Sequence, residues 1–331
     1  MIFKLTDGGV KREIDVVDWT TRLKLRDIAL LCRHCRGDGP LKRAALTEGE
    51  VRKALNFSRR AHALAQAAAD LDVRLMIDAE QTYFQPAIDA VVACSTKKLR
   101  FFFFSHSSQR KSALSLPLGS SPASLRRSLQ RRHNAEQPVI FTTVQCYLTD
   151  ALPRLRLDLA RCERGGYAYG VKLVRGAYMF AERERAERLG EPSPIHATQE
   201  ETHACYDAAV ELVVRTAASK LSTGLPRVEA MLATHNAASV AKGVTVLTEH
   251  GLAETNAVAF AQLLGMADHL TYGLADQGLP VCKYVPFGPL HETLPYLVRR
   301  AQENSAFVHS EAVHHELILL RRELTRRVFG R

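Results

Sequence analysis

Several things are missing from this 331-residue chain, and each absence narrows the reading. No run of about 18 consecutive apolar residues occurs, so no membrane-spanning helix is indicated. The seven cysteines stand singly, without CxxC pairs or metal-ligand spacing. That usage fits reduced thiols; it gives no disulfide framework and no metal site. No GxGxxG follows any apolar run, which argues against a dinucleotide-binding doubly wound sheet. The opening residues, MIFKLTDGGVKREID, lack the pattern of a secretory or transit peptide. Acidic residues are absent between Ala90 and Ala135, where nine Lys or Arg residues fall. This stretch accounts for most of the formal net charge of +10, and the remainder is nearly balanced. With no aromatic residues interleaved among basic ones elsewhere, nucleic acid is not expected as a partner.

What is present is a rhythm. Six short apolar runs recur, most followed by a helical pattern: Val73–Ile77, Val139–Val144, Gly170–Val174, Glu229–Ala233, Ala257–Leu263 and Val281–Val285. Alternating strand and helix implies an α/β fold with a parallel sheet and helices packed outside it. Polar residues cluster at the ends of the runs: Asp78 and Glu80, Gln145, Arg175, His235 and Asn236, and Tyr284. Chemistry at the C-terminal ends of strands suits a (β/α)8 TIM-type barrel. Thr47 and Glu50 form a capping box for an amphipathic helix through Ala69. A last helix, Glu311 to Phe329, is apolar on one side and is expected to pack on the domain. Residues 90–124 break the rhythm with FFFF at 101–104 and seven serines between Ser105 and Ser121. They read as a low-complexity insertion that is disordered.

Three segments carry candidate chemistry. In VKLVRGAY, Lys172 is a cation inside a strand, which is costly without a partner. Arg175, Gly176 and Ala177 then leave the strand with little bulk, letting backbone approach a phosphate or a planar ring. In ATHN, Thr234, His235 and Asn236 offer donors for a pyrophosphate or ribityl group, or simply form a turn. After the strand ending at Tyr284, a helical pattern over 291–307 puts Tyr296, Arg300 and Glu303 on one face, with Arg299 beside Arg300. Paired guanidinium groups near a carboxylate can clamp a small carboxylate ligand, or can be a solvated ion-paired face. Asp78 is open to three roles: base, partner of Lys172, or helix cap. From the residues alone, a Schiff-base barrel aldolase using Lys172 and a non-catalytic fragment both stay open.

Taken in order, LMIDAEQTYFQPA, VQCYLTDA, YGVKLVRGAYM, ATHN, FAQLLGM and KYVPFG with PYLVRRAQEN resemble the proline dehydrogenase family of the eukaryotic mitochondrial kind. The resemblance implies a β/α barrel binding FAD and oxidising L-proline to Δ1-pyrroline-5-carboxylate, with a quinone as electron acceptor. It implies a mitochondrial location on the matrix side of the inner membrane, with possible membrane association. By the same resemblance Arg299 and Arg300 hold the substrate carboxylate, and Glu303, on the cofactor side, steadies them. Tyr284, Tyr296, Tyr178 and Leu263 line the proline ring. Asp78 is an active-site acid, and Lys172 is the basic residue near flavin N5. Ala79, Gln145, Arg175, Gly176, Ala177, Thr234 and His235 meet the flavin. Hydroxyproline dehydrogenases are similar too, but carry a small hydroxyl residue where this chain has Tyr284; a tyrosine leaves less room for a ring hydroxyl and favours proline. Against the family pattern the chain starts just before the third barrel strand. The expectation is therefore a single barrel domain over residues 1–331, its C-terminal portion, with the first two strands missing. An inactive truncated fragment is the alternative.

Overall fold

A computed structural model of the chain describes residues 2–3, 60–83, 85, 88–89, 129–223, 227–286, 288–291, 293–294, 297–298 and 311–329. The insertion at 90–124 and the site residues Tyr296, Arg299, Arg300 and Glu303 lie outside them. Among the described residues the strands follow one another in chain order: β1 (Ile2–Phe3), β2 (Leu75–Ile77), β3 (Ile140–Gln145), β4 (Tyr169–Val174), β5 (Val228–Ala233), β6 (Val258–Leu263) and β7 (Val281–Tyr284). The six apolar runs are all strands, with ends shifted by no more than two residues. β1 is the addition, and its two residues are too short for any run to mark it. Helices alternate with the strands: α1 (60–70), α2 (Leu129–His133), α3 (Ala151–Gly165), α4 (Met179–Leu189), α5 (Gln199–Thr223), α6 (Ala237–Glu249), α7 (Asp268–Asp276) and α8 (Glu311–Phe329). The chain divides into two compact units, Met1–Ala230 and Met231–Arg331.

In the first unit β1, β2, β3 and β4 pair in parallel, with Leu75 opposite Ile140 and Lys172 opposite Thr143. The strands are apolar because both faces are covered, as expected of a parallel sheet under helices. Leu75, Ile77, Val139 and Ile140 pack with Ala61 and Ala65 of α1 and Leu129 of α2 in one buried cluster. The entry to β3 is fixed by α2 and the turn after it. Asn134 Oδ1 accepts the backbone N–H groups of Val139 and Ile140 at 3.0 and 2.8 Å, and its Nδ2 donates to the Ile140 carbonyl at 2.8 Å. Gln130 Nε2 donates to the carbonyls of Ile140 and Gly170. Two buried amides thus set where β3 and β4 begin, satisfying backbone groups that the ladder leaves open.

In the second unit β6 and β7 pair in parallel, Leu263 opposite Tyr284. Leu232, Val240, Leu247, Phe260 and Leu274 are buried there. α6 starts at Asn236, whose side chain accepts the Ser239 N–H at 2.9 Å, an ordinary N-cap. α8 corrects an expectation. Leu317, Ile318, Leu324, Val328 and Phe329 are all exposed, Phe329 by 75%, so these described apolar residues do not pack on the domain. Its charges pair along the helix instead, Glu323 with Arg326 and Arg327. No helix among the described residues is long and apolar enough to cross a membrane.

Candidate functional site

In the first unit, the C-terminal ends of β2, β3 and β4 gather the candidate residues. Lys172 is 8% exposed and reaches across β3 to form an ion pair with Asp78, just past the end of β2. A buried ammonium needs such a partner. Of the roles open to Asp78, the pairing is the one observed. Thr143, opposite Lys172 in the ladder, donates its hydroxyl to the Ile77 carbonyl at 2.8 Å and holds the end of β2.

Gln145 ends β3 and is buried; its Nε2 donates to the Glu80 carbonyl at 2.8 Å. The Glu80 N–H in turn donates to Gln85 Oε1 at 3.1 Å. Gln145 is therefore bonded to the loop after β2, which also contains Ala79, half-buried beside Asp78. Arg175 follows β4. Its Nε donates to His203 Nδ1 at 2.8 Å, and its guanidinium lies 4.5 Å over the Tyr206 ring, both on α5. Burial and the neighbouring Arg175 charge hold the His203 imidazole below its usual range, consistent with a neutral acceptor. Gly176 has φ +137, and a Cβ there would lie 2.4 Å from the Tyr147 ring. Only glycine fits, so the turn after β4 packs closely on the buried Tyr147 ring, and the Arg175 carbonyl accepts the Tyr147 N–H at 2.7 Å; Gly176 itself is exposed. Tyr178, half-buried, precedes α4.

The second unit places the remaining candidates on the ends of β5, β6 and β7. The Thr234 N–H donates to the Ala261 carbonyl at 3.1 Å, and its Oγ1 accepts the Asn236 N–H. His235 Nε2 accepts the Leu263 N–H at 2.9 Å. Leu263 and Tyr284 are half-buried register partners at the ends of β6 and β7.

Sequence reasoning missed two sets of residues. Glu182 on α4 is 1% exposed and accepts both the N–H and the hydroxyl of Thr82. Its only signal was an acid in the first turn of a helix. Lys283 on β7 pairs with Asp268 at 2.6 Å and donates to the Met266 carbonyl at 2.7 Å. It thereby ties down the turn that follows Leu263, and its position inside a strand was the available clue.

Asp78, Lys172 and the backbone beside Gly176 fit a flat heterocycle that gains negative charge on reduction. A buried, paired cation lies within β4, and the turn that follows the same strand is exposed at Gly176.

The family model for proline dehydrogenase matches residues 112–312. The chain is 37% identical over 329 residues to the Homo sapiens protein named proline dehydrogenase 1, mitochondrial, covering 97% of this chain and 47% of that one. It is 36% identical over 272 residues to the Rattus norvegicus hydroxyproline dehydrogenase, covering 82% of this chain and 52% of that one. The chain thus spans about half the length of the curated relatives it matches. Among solved structures, proline utilization A from Bdellovibrio bacteriovorus superposes with a TM-score of 0.59 at 17% identity, covering 92% of this chain and 30% of that one. At that identity the likeness speaks for the fold alone.

Proposed function

The chain belongs to the proline dehydrogenase family, and from that premise we propose that it oxidises L-proline to Δ1-pyrroline-5-carboxylate with FAD as cofactor, passing electrons to a quinone. The observation that carries the proposal is the buried Lys172–Asp78 pair at the strand ends, with the exposed Gly176 in the turn that follows β4. We read the chain as the C-terminal portion of a single (β/α)8 barrel domain; the alternation of strands and helices and the parallel pairing within each unit support this. The relatives' names support a mitochondrial location, and the matrix face of the inner membrane is part of the same reading.

FAD when bound supplies the two-electron oxidation. Lys172 supplies a fixed positive charge near the flavin, and Asp78 holds that charge in place. Ala79, Gln145, and the backbone of Arg175, Gly176 and Ala177 are the first unit's cofactor contacts, with Arg175's side chain anchored on α5. By the family resemblance, Thr234 and His235 are cofactor contacts as well. Tyr178, Leu263, Tyr284 and Tyr296 line the substrate ring. Arg299 and Arg300 grip its carboxylate, steadied by Glu303. Substrate geometry is then set by fixed groups, which is how orientation lowers a barrier.

The test is direct. The purified chain should be yellow, with flavin absorbance that bleaches anaerobically with L-proline and much less with 4-hydroxyproline. Bleaching by hydroxyproline in preference would assign the hydroxyproline reading, favoured now only by one group of relatives. A soluble, folded chain that never retains flavin would end the enzyme reading for this polypeptide.

A further inference from the structure

We propose that Glu182 is a positioning residue that clamps the loop carrying Asp78 against the helix that starts after Tyr178; the proposal deepens, and rests on, the function read above. β2 is three residues long, so the sheet ladder stops at Ile77. Beyond it the chain runs through Asp78, Ala79, Glu80, Gln81, Thr82 and Tyr83 without ladder bonds. Two neutral amides hold the middle of this loop at Glu80, Gln145 from β3 and Gln85 from the segment that follows. Its far end is held by a charge. One oxygen of the Glu182 carboxylate accepts the Thr82 N–H, and the other accepts the Thr82 hydroxyl at 2.8 Å. One turn further along α4, Arg185 lies over the Tyr83 ring at 4.5 Å.

A first-turn glutamate is ordinarily explained by the helix dipole and an exposed side chain. Glu182 does not fit that account, because it is 1% exposed. Burying a carboxylate is costly, and the donors that offset the cost come from the loop after β2. Its backbone N–H also donates to the Tyr178 carbonyl at 3.0 Å, so Tyr178 and Glu182 share one turn of α4. One carboxylate thus ties the segment bearing Asp78 to the segment bearing Tyr178. Displacement of a reacting group by about 1 Å can cost a hundredfold in rate. The clamp therefore acts through Asp78 and its partner Lys172, and need not touch substrate itself.

The experiment uses the full chain and has two arms. In the first, amide hydrogen exchange is followed for the peptide covering residues 78–83, without added flavin. Glu182→Ala should speed exchange there about 10- to 100-fold, the loss of a charge-assisted bond to one N–H. Glu182→Gln keeps an acceptor for that N–H and should recover most of the protection. In the second arm, kcat/KM for L-proline should fall about 10- to 100-fold in Glu182→Ala, with most of it returned by Glu182→Gln. Thr82→Val, which keeps the amide and removes the hydroxyl, should lower kcat/KM less, and Glu182→Ala combined with Thr82→Val should be no worse than Glu182→Ala alone. If Glu182→Ala does not fold, Thr82→Val carries both arms by itself. Unchanged exchange at 78–83 in the variants, or additive effects of Glu182→Ala and Thr82→Val, overturns the clamp. A parent chain that neither holds flavin nor oxidises proline overturns the functional reading instead, and the exchange arm still judges the clamp.

Discussion

Replacing Asp78 with alanine should destabilise the protein more than replacing Asp78 and Lys172 together. Lys172 is 8% exposed, and the side chains of the pair are 10% and 19% exposed for Lys172 and Asp78. At about 3 Å and an effective permittivity near 20, two unit charges attract by roughly 5 kcal/mol. Desolvating each ion costs several kcal/mol, so the net contribution of the intact pair is small. Removing one partner is different, because the other stays buried and uncompensated; losses of this kind run to about 3–5 kcal/mol. Asp78→Ala should therefore cost about 3 kcal/mol, the low end, since Asp78 has some access to solvent. Lys172→Met should cost less, roughly 2 kcal/mol, because the carboxylate left behind is the more exposed member. The double variant should lie near 2 kcal/mol, giving a coupling of about 3 kcal/mol. Urea unfolding of the parent, both single variants and the double, followed by far-UV circular dichroism, measures all four corners. Additivity within about 0.5 kcal/mol would refute the reasoning, since it would mean that the two charges do not depend on each other.

Two further outcomes follow from local chemistry. His62 and His133 face each other, Nδ1 to Nε2 at 3.4 Å, and burial together with nearby Arg132 holds each imidazole down to about 4. Their folded values lie below the unfolded one, so the unfolded chain binds the extra protons and stability falls as pH drops from about 6.5 towards 4. Allowing for partial exposure, the pair should lose about 2 kcal/mol between pH 7 and pH 5. Asp158, pushed up to about 6 by burial and the nearby Asp89, works the opposite way and returns part of this below pH 6. The double variant His62→Leu/His133→Leu should flatten the slope in pH-dependent melting, and an unchanged slope would rule the pair out as its source. Gly176→Ala should cost roughly 1–3 kcal/mol in backbone strain, and more because the added Cβ lies 2.4 Å from the ring of Tyr147, itself only 4% exposed. Gly190→Ala, at φ +63 with nothing within 4 Å, should cost only the left-handed penalty of about 1 kcal/mol. Thermal melts of the two variants should therefore separate by several degrees, and equal melting points would contradict the close packing at Gly176.

The strands were legible because parallel strands covered on both faces leave a continuous apolar run that turn residues punctuate. Val171 and Leu173 on β4 are fully buried, and the run containing them stands out from the polar residues around it. β1 was not legible: two residues paired with Met76 and Ile77 acquire their strand character from their neighbours alone. α8 misled for the converse reason. Periodicity reports that a helix has an apolar side, but contains nothing about whether another element covers it. The role of Glu182 was hidden because its partner, Thr82 at one hundred positions' distance, is fixed by tertiary contact.

The candidate site residues also show why strand-end polar groups are hard to assign from residue type. Gln145, Arg175 and His235 were each expected to meet a flavin, and each is engaged with the protein itself: Gln145 with the Glu80 carbonyl, Arg175 with His203 and Tyr206, His235 with the Leu263 N–H. Buried polar groups must be satisfied whatever their function, so such bonds are no argument against a second role. They do restrict what that role can be. A neutral imidazole that accepts at Nε2 carries its proton on Nδ1, so His235 presents a donor on that side and cannot accept there. Arg175 has its guanidinium held on α5 and its carbonyl bonded to the Tyr147 N–H, and Gly176 beside it lets the turn pack on the Tyr147 ring. The protein bonds therefore fix the orientation of each group before any ligand arrives, which is the preorganisation that an electrostatic site requires.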